Sequence, residues 1–296
     1  MRTFPTAVDS TMLASLRACH RQFDLGTLQS YKPKGQSIHL HAGGAFASAL
    51  EAARMAFYAD NKSHDDSVAL GLQKLIEAYG DFESGDHAKS LDRMCGALEY
   101  YFSQYPMDAD PAQVITLQGK PAVEFSFAIP LPIKHPDSGE PILYAGRFDA
   151  IMEYAGGLYA NDDKTATSLG ASWSKQWELR GQFIGYAWAM REFGIPPAGT
   201  IVTGISILKT KYETQRAVIS QSNDKIEEWL QDTIAEIEDA KTRYVAGARW
   251  KKNWSESCNA YGACQFKQCC QVSDPQPWLD TYFEVRPWDP LVRVSL

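Results

Sequence analysis

No stretch of these 296 residues approaches the run of about 18 apolar residues that a membrane-spanning helix needs, which excludes a membrane helix. The opening MRTFPTAVDSTMLASLRACHRQF lacks the basic n-region, continuous apolar core and small-residue cleavage site of a secretory signal, so the expected compartment is the cytoplasm. An excess of positive charge is missing too: 29 Lys and Arg face 36 Asp and Glu, a formal charge of -7. That speaks against a chain held on nucleic acid by its overall charge. It leaves open a catalytic nuclease, whose backbone contacts are made by local patches and bound cations. There is no internal repeat and no low-complexity segment. At 45% hydrophobic and 22% charged residues, the composition is that of a globular protein able to build one large core or two modest ones.

Cysteine is scarce and unevenly placed. Cys19 and Cys95 stand alone, whereas Cys258, Cys264, Cys269 and Cys270 fall within CNAYGACQFKQCC. In a reducing cytoplasm this clustering favours metal or iron–sulfur ligation over disulfides. The paired C-x2-C spacing of a zinc finger is absent, but thiolates on a short loop can still converge on a soft metal. If Cys19 joins them, the site staples the first helix to the last segment. Packed, reduced thiols are the other reading.

What the sequence does contain is centred on ILYAGRFDAIMEYAGGLYANDDKT, residues 142–165. It reads as two strands joined at Gly156-Gly157, a hairpin signal. That turn sets Asp149 opposite Lys164, and since side chains alternate along a strand, Asp149, Asp162 and Lys164 share one face while Asp163 points away. Two carboxylates and a lysine on one face suit metal-assisted phosphodiester hydrolysis. The carboxylates hold Mg²⁺ or Mn²⁺, and the lysine orients water or offsets charge on the phosphate. A solvated hairpin carrying ordinary surface charges is the bland alternative.

Around this hairpin, the first 105 residues read as mostly helical: 8–25, 38–59, 67–80 and 88–105, with a polar loop at 60–66 and a turn at FESGDH. His39 and His41 are read as structural or solvent-facing. The pattern then changes. AVEFSFAIP, residues 122–130, alternates as a half-buried strand with Glu124 on its polar side, and a proline-rich loop follows. A helix is predicted over 172–193, where Gln182 and Tyr186, four apart, share a face and Trp173, Trp177 and Trp188 supply packing area. Strands at 201–208 and 215–220 flank the basic Lys209, Lys211 and Arg216, and a helix over 224–245 carries a solvated acidic face. From Trp250 the chain reads as irregular, with Trp278, Phe283 and Trp288 covering the end of the core.

Taken together, LRACHRQFDL, AGGAFASALEAAR, GRFDAI, YANDDKT, QFIGY and CNAYGACQFKQC resemble the PD-(D/E)XK nuclease superfamily. The form most similar is the RecB-like exonuclease branch, whose viral and CRISPR-associated members carry a cysteine-held iron–sulfur cluster. The resemblance spans roughly residues 14–270. It implies an α/β fold, a restriction-endonuclease-like mixed sheet flanked by helices. Residues 1–110 would form a helical N-terminal portion, 111–247 the nuclease core and 248–296 a cysteine-stapled C-terminal segment, in one intertwined domain. It implies that Asp149 and Asp162 are the metal-binding carboxylates, Lys164 the catalytic lysine, and Gln182 and Tyr186 the bracing helix. Cys19, Cys258, Cys264 and either Cys269 or Cys270 would hold a [4Fe-4S] cluster, with structural Zn²⁺ as the alternative. The implied activity is Mg²⁺- or Mn²⁺-dependent exonucleolytic cleavage of DNA with a free or single-stranded end, in recombination, repair or viral genome processing. For a virus-encoded chain the setting would be the host cytoplasm. Two departures stand out. Ala47 and Ser48 occupy the helix positions where the family often carries a metal-ligand histidine, and the late cysteines miss the C-x2-C-x5-C spacing. The alternative is a relative that keeps the fold and binds nucleic acid without turnover.

Overall fold

In the computed structural model, which describes residues 2–35, 37–85, 87–259 and 263–293, the alternating stretch opening the β region outruns its predicted end. β1 (Val123–Lys134) continues because Leu131 and Ile133 keep the buried alternation. Pro130 and Pro132 take the exposed positions, where a missing N–H removes no buried ladder bond. β2 (Pro141–Tyr154) and β3 (Gly157–Ala166) then form the expected antiparallel hairpin. Its turn lies one residue earlier than predicted, at Ala155 and Gly156. Tyr154 pairs with Gly157, and the turn residues have φ of +49° and +77°, the positive values that a tight hairpin turn matching strand twist requires. The pairing of Ala150 with Asn161 therefore extends to set Asp149 across from Asp162, not Lys164. The predicted sharing of a face survives, because the register moves by an even number of residues.

The chain divides into two units, 36–125 with 147–226, and 1–35 with 126–146 and 227–296; β1 and β2 contribute residues to both. The first unit is a mixed α/β arrangement. β3 runs parallel to β4 (Pro197–Ile207), and β4 pairs antiparallel with β5 (Tyr212–Ser220), giving the order β2-β3-β4-β5. Two helices pack on this sheet, α1 (Ile38–Tyr58) and α3 (Leu91–Gln104), and α2 (His64–Tyr79) buries its apolar face against those two helices. Ala42, Ala45, Ala49 and Ala53 of α1 line the contact with Leu75, Met94, Leu98 and Ile205. Small residues let the helices approach closely: a Cβ at Gly71 would lie 2.9 Å from the Ala49 carbonyl. α2 starts three residues before its predicted position because Ser63 caps it, accepting from the Asp66 N–H at 3.1 Å. In the turn before α3, Asp86 lies outside the described residues.

The helix predicted over 172–193 is broken. A short 3-10 turn, Lys175–Trp177, precedes α4 (Gly181–Glu192), with Arg180 extended at the junction. Trp173 and Trp177 pack edge to face at 5.6 Å, and Trp177 continues onto Phe183 at 5.7 Å. These rings build the turn and cover β4, where Gly204 leaves room for Trp173. They pack inward, as expected.

In the other unit the helix predicted over 8–25 is interrupted at Cys19. Ser10–Ala18 is capped by Asp9, whose carboxylate accepts from Met12 N–H at 2.7 Å, and Cys19 is extended before His20–Phe23 begins. At the break, backbone groups are taken up by the tail: the Arg21 N–H donates to the Lys251 carbonyl at 2.9 Å and Asn253 Nδ2 donates to the Ala18 carbonyl at 2.7 Å, while the fully buried Asp24 is held by Arg2, Arg21 and Gln29. The helix Asn223–Val245 matches its prediction to within a residue. In the tail, Leu279 and Phe283 join Leu25, Phe266 and Cys269 in a small core that Trp278 packs against, whereas Trp288 is exposed. Among the described residues no helix is long and apolar enough to cross a membrane.

Candidate active site

The hairpin brings Asp149 and Asp162 together at the centre of the first unit. One carboxylate oxygen of Asp149 accepts the backbone N–H of Asp163 at 2.7 Å, which fixes its orientation. Asp162 is 2% exposed. Its Oδ2 accepts from Gln182 Nε2 at 3.0 Å, and its Oδ1 faces the Lys164 ammonium at 2.5 Å. Beyond that ion pair no donor reaches this buried oxygen. Gln182 Nε2 also reaches the Tyr186 hydroxyl at 3.1 Å, and Tyr186 donates to the Arg147 carbonyl at 2.7 Å. The four-residue spacing on α4 thus becomes a brace running from Asp162 back to β2. Of the five residues singled out in the sequence, Asp162, Lys164, Gln182 and Tyr186 are joined by hydrogen bonds and an ion pair, and Asp149 stands beside them on the Asp163 N–H.

Electrostatics follow from this crowding. Burial, then repulsion from Asp162 and Asp163, raises the Asp149 carboxyl well above the usual carboxylate range. Burial also raises Asp162, against the opposing pull of Lys164. Lys164 is lowered by burial but raised further by Asp162 and Asp149, for a net upward shift. The two carboxylates thus favour the charged form of the lysine, which suits it to charge compensation at this face.

Several participants escaped the sequence reading. Asp163, on the opposite face of β3, accepts from Arg54 Nη1 at 2.6 Å, Tyr101 Oη at 2.7 Å and Asn161 Nδ2 at 2.8 Å, and Arg54 also reaches Tyr101 at 3.1 Å. This network holds the peptide whose N–H orients Asp149. Arg54 had left a signal: eight residues after Phe46 and four after Leu50, it is the charged residue on the alanine-rich face of α1. Glu124, which the alternation put on the polar side of its strand, is drawn inward. It sits at φ +49°, its side chain is mostly buried, and it pairs with Arg147 Nε at 2.6 Å. Burial, opposed by Arg147, pushes its carboxyl up to about 7. Opposite the hairpin, Ala47 lines a cavity with Asp163, Lys164 and Thr165, so α1 presents a methyl group at one of the two positions where the family pattern has a histidine.

A divalent cation is compatible with this donor set. Mg²⁺ is commonly held by one or two carboxylates, with water and substrate phosphate completing the shell, and the buried Oδ1 of Asp162 faces only the Lys164 ammonium among the described residues. Among the described residues, no three His, Cys, Asp or Glu side chains form a ready-made ion site.

The cysteines collect elsewhere, in the other unit. Cys19, Cys258, Cys264 and Cys270 line a cavity of about 170 Å³ together with Arg21, Lys252 and Lys267. Cys269, left open against Cys270 in the sequence, turns instead into the small core with Leu25, Phe266 and Phe283. Burial raises the thiols of Cys264 and Cys270, with neighbouring cysteines adding to the shift. All six cysteines are free thiols, so no disulfide tethers the tail. The middle of the cysteine loop, residues 260–262, lies outside the described residues.

A family model described as the PD-(D/E)XK nuclease superfamily matches residues 10–271 of this chain. No curated protein matches it. Among solved structures, a presumed exonuclease from Eubacterium rectale has a similar fold, with a TM-score of 0.50 and 11% identity, covering 98% of this chain and 93% of that one. A protein called SSO0001 is 15% identical over 64% of this chain and 74% of its own, but its TM-score of 0.28 carries no argument.

Proposed function

Because this chain belongs to the PD-(D/E)XK nuclease superfamily, we propose that it is a Mg²⁺- or Mn²⁺-dependent deoxyribonuclease acting on DNA ends, of the RecB-like exonuclease branch. The observation that carries the reading is the meeting of Asp149, Asp162 and Lys164 on one face, braced by Gln182 and Tyr186. Asp149 and Asp162 would hold the cation, which when bound polarises the phosphate and lowers the pKa of a water. Lys164 offsets negative charge developing on the phosphate oxygens. Gln182 keeps Asp162 turned toward the site, and Tyr186 anchors Gln182 to β2 through the Arg147 carbonyl.

Cys19, Cys258, Cys264 and Cys270 would hold a [4Fe-4S] cluster, with structural Zn²⁺ as the competing occupant. Their arrangement around a cavity favours the cluster, since each thiolate then binds its own iron and need not approach a single ion. Such a cluster would staple the first helix to the tail, and the reducing cytoplasm is the compartment that suits it.

The test is cleavage of 5′- and 3′-labelled linear single- and double-stranded DNA, beside a closed circle, with Mn²⁺ or Mg²⁺. Wild-type protein should release label from linear substrates and spare the circle, whereas Asp149→Ala and Lys164→Ala should be inactive. Equal activity in all three would overturn the assignment of the hairpin. Inactivity of wild type with both metals would favour the second reading, a relative that binds nucleic acid without turnover, which Ala47 and Ser48 at the histidine positions motivate.

A further inference from the structure

Beside the hairpin the first unit buries a cation that no carboxylate of the described residues neutralises. Lys89 is 3% exposed. Its carbonyl accepts from the Tyr79 hydroxyl at 2.7 Å and its N–H donates to His87 Nδ1 at 3.0 Å, so the backbone holds it in place. Its ammonium donates to a neutral group, Thr165 Oγ1, at 2.9 Å. Among the described residues no acidic side chain acts on it, and burial alone lowers its pKa. A desolvated ammonium with a single neutral partner is an unfavourable arrangement unless an anion completes it.

The surroundings are open on the side an anion would approach. A cavity of about 310 Å³ runs along β3, lined by His39, Gly43, Gly44, Ala47, Lys164 and Thr165 among others. Thr165 accepts from Lys89, which leaves its own O–H free to donate into this space. Gly43 faces that hydroxyl, with room for a Cβ only 3.7 Å from it, and a Cβ on Gly44 would meet nothing within 4 Å. His39 stands edge to face with His87 at 5.2 Å, and burial, then the nearby Lys89 ammonium, lowers its pKa. Asp163 also reaches the wall, but Arg54, Tyr101 and Asn161 already occupy it.

We infer that this cavity is a phosphate subsite, which takes a phosphodiester of the strand adjacent to the one presented to Asp149 and Asp162. Thr165 donates its hydroxyl to a phosphate oxygen, Lys89 supplies countercharge from behind, and the glycines of α1 let the backbone of the ligand come close. Lys164 stands at the boundary between the two positions, so one strand can run from the subsite to the carboxylates. That the ligand is a nucleic-acid strand rests on the proposed nuclease function; that it is a phosphate rests on the cavity.

The test measures binding of a fluorescently labelled single-stranded oligonucleotide to full-length Asp149→Asn protein in Ca²⁺, as a function of salt, with and without Lys89→Met or Thr165→Val. Removing one phosphate-neutralising cation should flatten the slope of log K against log salt by about 0.7 and weaken binding roughly tenfold at low salt. Thr165→Val should weaken binding with the slope unchanged. The melting temperature of Lys89→Met should hold or rise, because a buried unpaired charge has gone; a lysine serving only the fold would lower it. Inorganic phosphate should compete with the oligonucleotide on the Lys89 protein and not on Lys89→Met. Unchanged affinity and slope in Lys89→Met would overturn the subsite, and competition by phosphate with no change in slope would overturn its assignment to the strand. A wild type that fails to cleave, with the slope still altered by Lys89→Met, would sink the nuclease reading and leave the subsite standing.

Discussion

Replacing Arg54 with methionine tests the idea that the face of β3 away from the carboxylates is what holds them in place. Arg54 and Asp163 are both nearly inaccessible, 2.6 Å apart, with side-chain exposures of 5% and 4%. In Arg54→Met, Asp163 would remain buried with two neutral donors, Tyr101 and Asn161, and no countercharge. Breaking a buried pair by removing one partner costs about 3–5 kcal/mol, mostly the uncompensated charge. At roughly 2–4 °C per kcal/mol, the melting temperature should fall by about 6–20 °C. Adding Asp163→Asn removes the stranded charge and should recover more than half of that loss, so the pair must couple strongly in a double-mutant cycle. Urea unfolding followed by circular dichroism gives the cycle, and cleavage by the folded variants gives its consequence at Asp149. A loss below about 1 kcal/mol in Arg54→Met, or no recovery on adding Asp163→Asn, would refute the reasoning, since a truly buried charge cannot be left unpaired so cheaply.

Other predictions concern separate features. In metal-free protein, Glu124 binds its proton more tightly folded than unfolded, from an ordinary 4.5 up to about 7, so the native state holds the extra proton and stability falls as pH rises through that window. Thermal melts in EDTA at pH 5 and pH 8 should show this decline, and Glu124→Gln should flatten it; an unchanged slope in the variant would contradict the assignment. Tyr186→Phe removes the bond to the Arg147 carbonyl and should cost about 1 kcal/mol in urea unfolding. Gln182→Ala should lower metal affinity or activity about 10- to 100-fold, as loss of a ligand-orienting partner does, read by calorimetry with Mn²⁺ alone and by cleavage. Serine at Cys19, Cys258, Cys264 or Cys270 should abolish the visible absorption and iron content of anaerobically purified protein, while Cys269→Ser should keep both; loss of iron from Cys269→Ser with retention in Cys270→Ser would reverse that choice.

Strict alternation was enough to put Asp149, Asp162 and Lys164 on one face, and a four-residue spacing to put Gln182 and Tyr186 on one helix face, because side-chain direction in strands and helices is set by local geometry; that the two faces meet was implied only by the resemblance. Parity was therefore readable even though the turn was not: Ala155 adopts positive φ, and nothing in a side chain's chemistry announces that an alanine rather than a second glycine will do so. Family resemblance added the order of the motifs, and the family match covers residues 10–271. The break at Cys19 and the rupture of the helix predicted over 172–193 go with contacts made at a distance, by Lys251 and Asn253 on the backbone flanking Cys19 and by Trp173 over Gly204. The same holds for the support of the site. Arg54, Tyr101 and Asp163 come from three elements separated by scores of residues, and Lys89 meets Thr165 across 76 positions. Periodicity ties a residue to its own element's face. Which charge lies opposite, and whether water can reach it, is decided only when the elements pack.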